Sequence, residues 1–362
     1  MPRISDAQAY WDQFDAATNV LAGQLARQLW LPRTRRRSFS AMIAQFEKQR
    51  ISYRNGLAAL ERAQRRALKG PQAKEINTAD VRLLRLLRRR LQMLQRISET
   101  LAAIAKGKPH PLYAPRRKAT DLKGAQADAL DTAMVFLHQL INPNPQSDAA
   151  KEIGCFADIP LSSALFMAHS HAAYRVALAQ KRQQPLRFLD VGCGGGMKVL
   201  LAAEIFDRAE GFDFDSNYVE AAQKAMTQMR LSRCRVFHDN ALSFGDYAHY
   251  DVIYFYQPMS DFEALEAMEA RIARTARPGT ILIAPYQRFL SRAEVLNCGR
   301  IAGAVFITAT SQAEADILRG QAEKIGPQIL RPAQVVLGQG VEWMQALNLG
   351  CAANGYLVEK SI

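Results

Sequence analysis

The sequence predicts an α/β domain, a sheet with helices on both faces, preceded by an all-α basic helical module. Three observations carry this. Apolar residues recur at helical spacing through the first third, and short apolar strands alternate with helical patterns from about residue 187. The charge also changes between the two stretches. Residues 1–120 hold 25 Lys and Arg against 8 Asp and Glu, a net +17, and the rest hold 22 against 26, a net −4. The total of +13 over 362 residues is therefore two modules of opposite sign. The expected boundaries are a basic helical bundle or arm over 1–120, a linker and short helix over 121–150, and the α/β domain over 151–362.

In the first module, Trp11, Phe14, Leu21, Leu25 and Leu29 fall mostly three and four residues apart, which marks one helix face. Pro32 and the basic run Arg33–Arg37 interrupt it. A second helix is expected over about Ser40–Leu68, with Ile43, Phe46, Tyr53, Leu57 and Leu60 inward and Gly70-Pro71 as its stop. A third helix over Thr78–Lys106, capped by Asn77 or Thr78, carries Leu84, Leu87, Leu91, Leu94 and Leu101 at heptad spacing. Arginines cover much of its remaining surface, and its leucine seam suits either internal packing or self-association. Lys106–Lys118, with Gly107, Pro109, Pro111 and Pro115, reads as a linker. Short helices follow at Asp128–Leu140 and Ser163–Ala179.

Composition excludes several classes. Hydrophobic residues at 49% with 22% charged describe a folded chain rather than a disordered one. No apolar run approaches the roughly 20 residues needed to span a bilayer. The start, with Asp6, Asp12 and Asp15 and no apolar core, is unlike a targeting peptide. The five cysteines are odd in number, widely spaced and without a Cys-x-x-Cys pair, so neither a disulfide framework nor a zinc site is expected, and a reducing, cytoplasmic setting is.

The chemistry begins at Arg187-Phe-Leu-Asp-Val-Gly-Cys-Gly-Gly-Gly196, a short strand running into a glycine turn and then a helical pattern. A dinucleotide fingerprint would need a third glycine where Met197 stands, and a phosphate-binding Walker loop would need Ser or Thr after Lys198. Asp190, Gly192, Gly194 and Gly196 instead form Asp-x-Gly-x-Gly-x-Gly, with Cys193 inside the turn. This resembles the first motif of class I S-adenosylmethionine-dependent methyltransferases. The continuation resembles that family in order and spacing. Asp213, 23 residues past Asp190, ends a second strand in Glu210-Gly-Phe-Asp-Phe-Asp215. A helix over Asn217–Met229 leads to a third strand, Cys234–His238, ending at Asp239-Asn240. A fourth strand runs through Tyr250-Asp-Val-Ile-Tyr-Phe-Tyr-Gln-Pro258, and Ser260-Asp-Phe-Glu263 reads as a capping box for the next helix. Pro278–Pro285 is the fifth strand. Gly303–Thr308 and Gly355–Glu359 are expected to complete the sheet, with a capping box at Ser311–Glu314 between them.

The resemblance implies a Rossmann-like class I sheet, S-adenosylmethionine as cofactor and methyl transfer as activity. It implies that the glycines admit the backbone close to the cofactor's amino-acid tail, and that Asp190 orients the tail's ammonium. It also implies that Asp213 accepts from the ribose hydroxyls, as an acid does in dinucleotide folds. Asp239 and Asn240 then present an acceptor or donor to the adenine. Phe214 either covers an adenine face or fills the core.

The residues after the fourth strand face the acceptor in this family, which makes Tyr256 and Gln257 the candidates for substrate contact, with core packing the alternative for Tyr256. The string through Gln257-Pro258 resembles Dot1-like and mitochondrial-type protein lysine methyltransferases, and Phe156–Pro160 is similar to the segment that precedes the first motif there. Asp213 in place of Glu and Gln257 in place of an apolar residue depart from that pattern. His169 and His171 diverge by about 200° on a helix, so they cannot share a metal. His238 is directed away from its strand neighbours by alternation.

The expected function is methyl transfer to a macromolecule, protein or RNA. A small-molecule O- or N-methyltransferase is the alternative within the class. A non-catalytic, cofactor-sensing nucleic-acid-binding or scaffold protein is the alternative outside it. The basic module suits RNA or the ribosome, an acidic protein, an anionic membrane surface, or self-association.

Overall fold

The computed structural model describes residues 7–69, 78–113, 122–142, 144–182, 185–329 and 341–358. The expected stop at Gly70-Pro71, Asn77 as a cap and Pro115 of the linker lie outside the described residues. Chain contacts divide the protein into two units, 1–109 with 324–362 and 110–323.

The first unit is helical. Helices α1 (Ala7–Trp30), α2 (Phe39–Leu68) and α3 (Thr78–Lys106) form where the apolar spacing placed them. Leu84, Leu87, Leu94, Ile97 and Leu101 of α3 are buried in the same core as Leu25 and Leu29 of α1 and Tyr53 and Leu57 of α2. The leucine seam is thus spent inside the unit, and association with a second copy would need another face. The Tyr53 hydroxyl donates to the Leu87 carbonyl at 3.1 Å, and the Arg90 guanidinium stacks 4.2 Å over the Trp11 ring.

A fourth member of this bundle comes from the far end of the chain. Helix α12 (Glu342–Ala352) buries Trp343, Leu347 and Cys351, one face at four-residue spacing, in the helical core. Asn354 Nδ2 donates to the carbonyls of Leu29 and Gly350 at 2.9 and 2.7 Å. This corrects two expectations. Residues 324–362 belong with the helices rather than with the sheet, and 355–358 form no strand because their stretch follows α12 into the helical unit.

The second unit holds a seven-stranded sheet in the order β3-β2-β1-β4-β5-β7-β6. Its strands are β1 (Arg187–Val191), β2 (Arg208–Asp213), β3 (Cys234–His238), β4 (Val252–Phe255), β5 (Ile281–Ile283), β6 (Cys298–Ala302) and β7 (Val305–Thr308). The first five are parallel, and β7 runs antiparallel to β5 and to β6. Both closing strands come from 298–308, a hairpin at Gly303, whose φ of 56° suits a residue without Cβ. Helices α4 (Leu122–Ile141), α5 (Asp148–Glu152), α6 (Ser163–Ala179), α7 (Met197–Ala202), α8 (Ser216–Gln228), α9 (Phe262–Thr275), α10 (Gln287–Arg292) and α11 (Gln312–Ala322) complete the unit. Asp261 rather than Ser260 caps α9, accepting from Ala264 N at 3.0 Å, while the Ser260 hydroxyl donates to the Gly154 carbonyl. The Ser311–Glu314 capping box is formed.

Residues 110–113, expected as linker, are packed into the sheet unit. The fully buried Arg175 guanidinium on α6 donates to the carbonyls of His110, Pro111 and Ala322. The Tyr113 hydroxyl lies 2.8 Å from His169 Nδ1. No helix among the described residues is long and apolar enough to cross a membrane.

Truncating Leu347 to Ala removes a fully buried side chain from the helical core. We expect a loss of about 2–5 kcal/mol in urea unfolding. A loss below about 0.5 kcal/mol, the ordinary surface value, would show that α12 is not part of that core.

Candidate functional site

Strand order reverses between β1 and β4, where the chain leaves for β2 on one side and β5 on the other. In open α/β sheets that switch point leaves a crevice beyond the carboxyl ends of the strands. A cavity of about 680 Å³ occupies it, walled by the glycine turn after β1, the ends of β2 and β4, the segment 153–163 and one face of α4.

The turn is built by backbone that only glycine tolerates well. Gly192 and Gly194 sit at φ of 74° and 51°. A Cβ on Gly192 would lie 2.5 Å from Pro258 Cβ, and one on Gly194 2.3 Å from Asp158 Cγ. Every N–H of the turn is satisfied internally. Gly192 and Cys193 donate to the Phe212 carbonyl, Gly196 to the Cys193 carbonyl, Gly194 to Asp213 Oδ2 at 2.8 Å and Gly195 to Asp158 Oδ2 at 2.7 Å. Cys193 is buried, and that burial pushes its thiol well above the usual range.

Asp190, at the end of β1, is 2% exposed and its Oδ2 has no hydrogen-bond partner among the described residues. Burial raises its pKa well above the ordinary carboxylate range, against the pull of Lys198 and with the push of Asp213 and Asp158. Asp213 Oδ1 accepts from Asp215 N at 2.8 Å. Its pKa is raised from 3.8 to about 6 because desolvation outweighs its two backbone donors. Lys198, in the first turn of α7, is driven down to about 8 by burial, with its Nζ 2.6 Å from the Leu161 carbonyl.

The remaining sequence candidates fall around the same cavity. Phe214, Asp239 and Asn240 line it at the β2 and β3 ends. Asp239 Oδ1 accepts from Asn240 N, and Asn240 Oδ1 from Leu242 N, which fixes that loop. Tyr256 and Gln257 line it after β4, with the Tyr256 ring edge-on to Tyr286 at 6.0 Å. Gln257 holds a φ of 40°, a left-handed conformation that costs a non-glycine residue about 1–3 kcal/mol. Gly196, at φ 78°, sits outside the lining as the N-cap of α7. His238 is exposed, with Nε2 2.9 Å from the Phe214 carbonyl. His169 is buried against Tyr113, and burial lowers its pKa to about 4.

Sequence reasoning missed the outer wall. Asp131, Met134, Val135 and His138 of α4 line the cavity at positions i, i+3, i+4 and i+7. Asp158 and Tyr218 also line it. His138 Nε2 lies 2.9 Å from Asp158 Oδ2, and Asn142 Nδ2 donates to the same oxygen at 2.8 Å. The only signal for this wall was the Phe156–Pro160 similarity, which pointed at the segment without singling out Asp158.

Residues 188–279 match the family described as a methyltransferase domain. No curated protein matches the sequence. Among solved structures, the chain is similar to the YcgJ protein from Bacillus subtilis at 20% identity and a TM-score of 0.26, over 32% of this chain and 50% of that one. It is also similar to CalS10, an amino pentose methyltransferase from Micromonospora echinaspora, at 22% identity and a TM-score of 0.27, over 33% and 49%. An RNA methyltransferase from Salinibacter ruber matches at 16% identity and a TM-score of 0.28, over 35% and 76%. The chain thus spans about half the length of the first two. The predicted fold class, a Rossmann-like sheet with helices and an all-helical N-terminal region, is the one observed.

The raised pKa of Asp213 makes a stability prediction. The folded state holds this proton up to about pH 6, the unfolded state only to about 3.8, so stability falls as pH rises through that window. Asp213→Asn removes the effect. In urea unfolding, its stability relative to the parent should improve by up to about 3 kcal/mol from pH 4 to pH 8. A difference independent of pH would show that Asp213 titrates as an ordinary carboxylate.

Proposed function

We propose that the chain is an S-adenosylmethionine-dependent methyltransferase whose cofactor binds at the glycine turn and whose acceptor enters past Tyr256 and Gln257. The observation that carries this reading is Asp190, a buried carboxylate with an unpartnered oxygen at the cavity wall beside a turn that a Cβ would fill. Such an oxygen fits the tail's ammonium. Asp213 has lone pairs beyond its two backbone donors and suits the ribose hydroxyls, while Phe214, Asp239 and Asn240 suit the adenine. The cofactor, when bound, supplies an electrophilic methyl group on a sulfonium. The chain's part is to hold an acceptor in line with that methyl and keep water out. Tyr256 and Gln257 each offer one hydrogen bond to an incoming amine or hydroxyl, and the strained Gln257 backbone fixes where that bond is made.

The acceptor follows from two features that point different ways. The basic first third and the lysine-methyltransferase-like string from Asp251 through β4 to Pro258 favour a macromolecule, with residues 1–120 holding RNA, the ribosome or an acidic protein. The wall formed by Met134, Val135, Ile153, Phe156 and Ile159 favours an acceptor with an apolar body, which suits a small molecule. A non-catalytic cofactor sensor would use the same tail and ribose contacts and transfer nothing.

Tritiated methyl transfer from S-adenosylmethionine into cell extract, split into protein, RNA and small-molecule fractions, separates these readings. Label in one fraction is expected, and label in none would leave the sensor. In calorimetry, Gly192→Arg and Asp213→Ala should each weaken S-adenosylmethionine binding at least tenfold. Unchanged affinity in both would remove the cofactor from this turn.

A further inference from the structure

We infer that His138 of α4 recognises the carboxylate of the cofactor's amino-acid tail, with Asp158 and Asn142 as its positioning residues. The inference rests on the methyltransferase reading and adds to it a contact that the sheet motifs do not supply. The tail is a zwitterion and needs a cationic or donor group as well as an acceptor. In many anion sites the backbone N–H groups of a glycine turn provide the donors. That route is closed here. The N–H groups of Gly192 through Gly196 are all taken, two of them by the chain's own carboxylates at Asp213 and Asp158.

Charge narrows the choice further. Among the described residues five aspartates line the cavity, at positions 131, 158, 190, 213 and 239, and the basic residues of that lining are Lys198 and His138. An incoming carboxylate is repelled by the first set and attracted by the second. The Lys198 ammonium is drawn to the Leu161 carbonyl at 2.6 Å, where it ties the segment before β1 to α7. His138 is 9% exposed, and its buried Nε2 lies 2.9 Å from Asp158 Oδ2 without the alignment of a hydrogen bond.

The surroundings explain how a helix outside the sheet delivers this group. Asp158 Oδ2 is fixed between Gly195 N and Asn142 Nδ2, so it holds one side of the imidazole at a set distance from the turn. Nε2 faces Asp158, and Nδ1 is the other ring nitrogen, able to donate to the tail in the tautomer that carries its proton there. His138 for the carboxylate and the orphaned Asp190 oxygen for the ammonium together match both ends of an α-amino acid.

The test compares two ligands that differ in the tail. S-adenosylhomocysteine carries the amino-acid tail and 5′-methylthioadenosine lacks it, and both can be titrated by calorimetry against the full chain. His138→Ala should weaken S-adenosylhomocysteine tenfold or more and leave 5′-methylthioadenosine within twofold. Thermal unfolding reports whether the variant folds. If it does not, His138→Leu, which fills the same space, should give the same selective loss. Equal weakening of both ligands, or of neither, would overturn the inference. Failure of the unsubstituted protein to bind either ligand would instead overturn the methyltransferase reading beneath it.

Discussion

Removing a carboxylate from water is costly unless donors or cations replace the water, and Asp158, Asp190 and Asp213 all converge on one glycine turn. Much of the sheet unit's local structure can be understood as the answer to that constraint. Asp213 is met by two backbone N–H groups, from Gly194 and Asp215, which close β2 onto the turn. Asp158 is met by Gly195, Asn142 and His138, which seat both its own segment and the end of α4 against the turn. Lys198 adds a buried positive charge among them. Asp190 keeps a buried Oδ2 without a hydrogen-bond partner among the described residues. A buried oxygen left bare is costly, which is why the proposed cofactor tail is placed against it.

The part of this arrangement that could be read in the sequence is the part fixed by short-range geometry. A strand entering a positive-φ turn leaves Asp190, Gly192, Gly194 and Gly196 at invariable offsets, and β2 and β3 must end beside it at one repeat of the βαβ unit. The outer wall has no such signature. The segment from Cys155 to Leu161 carries no periodicity, since its order comes from contacts such as the Cys155–Met259 bridge and Phe156 N to the Pro258 carbonyl. Nothing local distinguishes Asp158 there from a solvated aspartate. Helix α4 was expected from Asp128 but begins at Leu122, because Gly124 and a run of alanines and polar residues dilute its apolar face. His138 was therefore not recognised as the last member of a stripe. At α9, Ser260 and Asp261 are equally good caps by type, and the choice fell to Asp261 because the Ser260 hydroxyl had a long-range partner in Gly154.

The chain's C-terminal end shows a different limit. The pattern in Trp343, Leu347 and Cys351 says that a helix has an apolar face, and periodicity cannot say which core receives it. The structure assigns it to the first unit, so residues 110–323 are an insertion within the helical unit. Insertion requires that the guest's ends lie close together, since the host chain must continue across a short gap. That condition is met chemically as well as geometrically. His110 N donates to the Glu323 carbonyl at 2.7 Å, pairing the first and last residues of the insert. Arg175 then places one buried guanidinium on carbonyls from both ends, His110 and Pro111 on one side and Ala322 on the other. A planar group with five donors suits this, because it satisfies carbonyls converging from two segments that no single strand or helix could pair. The sheet unit therefore closes its own chain ends from within, through α6. Its cavity-forming turn and the pinned ends are set by the same layer of structure, since α6 also carries Phe166, packed edge-on against Phe188 of β1 and Tyr254 of β4. A change at Arg175 would thus reach the site through α6 and the strands beneath it, although Arg175 itself makes no contribution to the cavity wall.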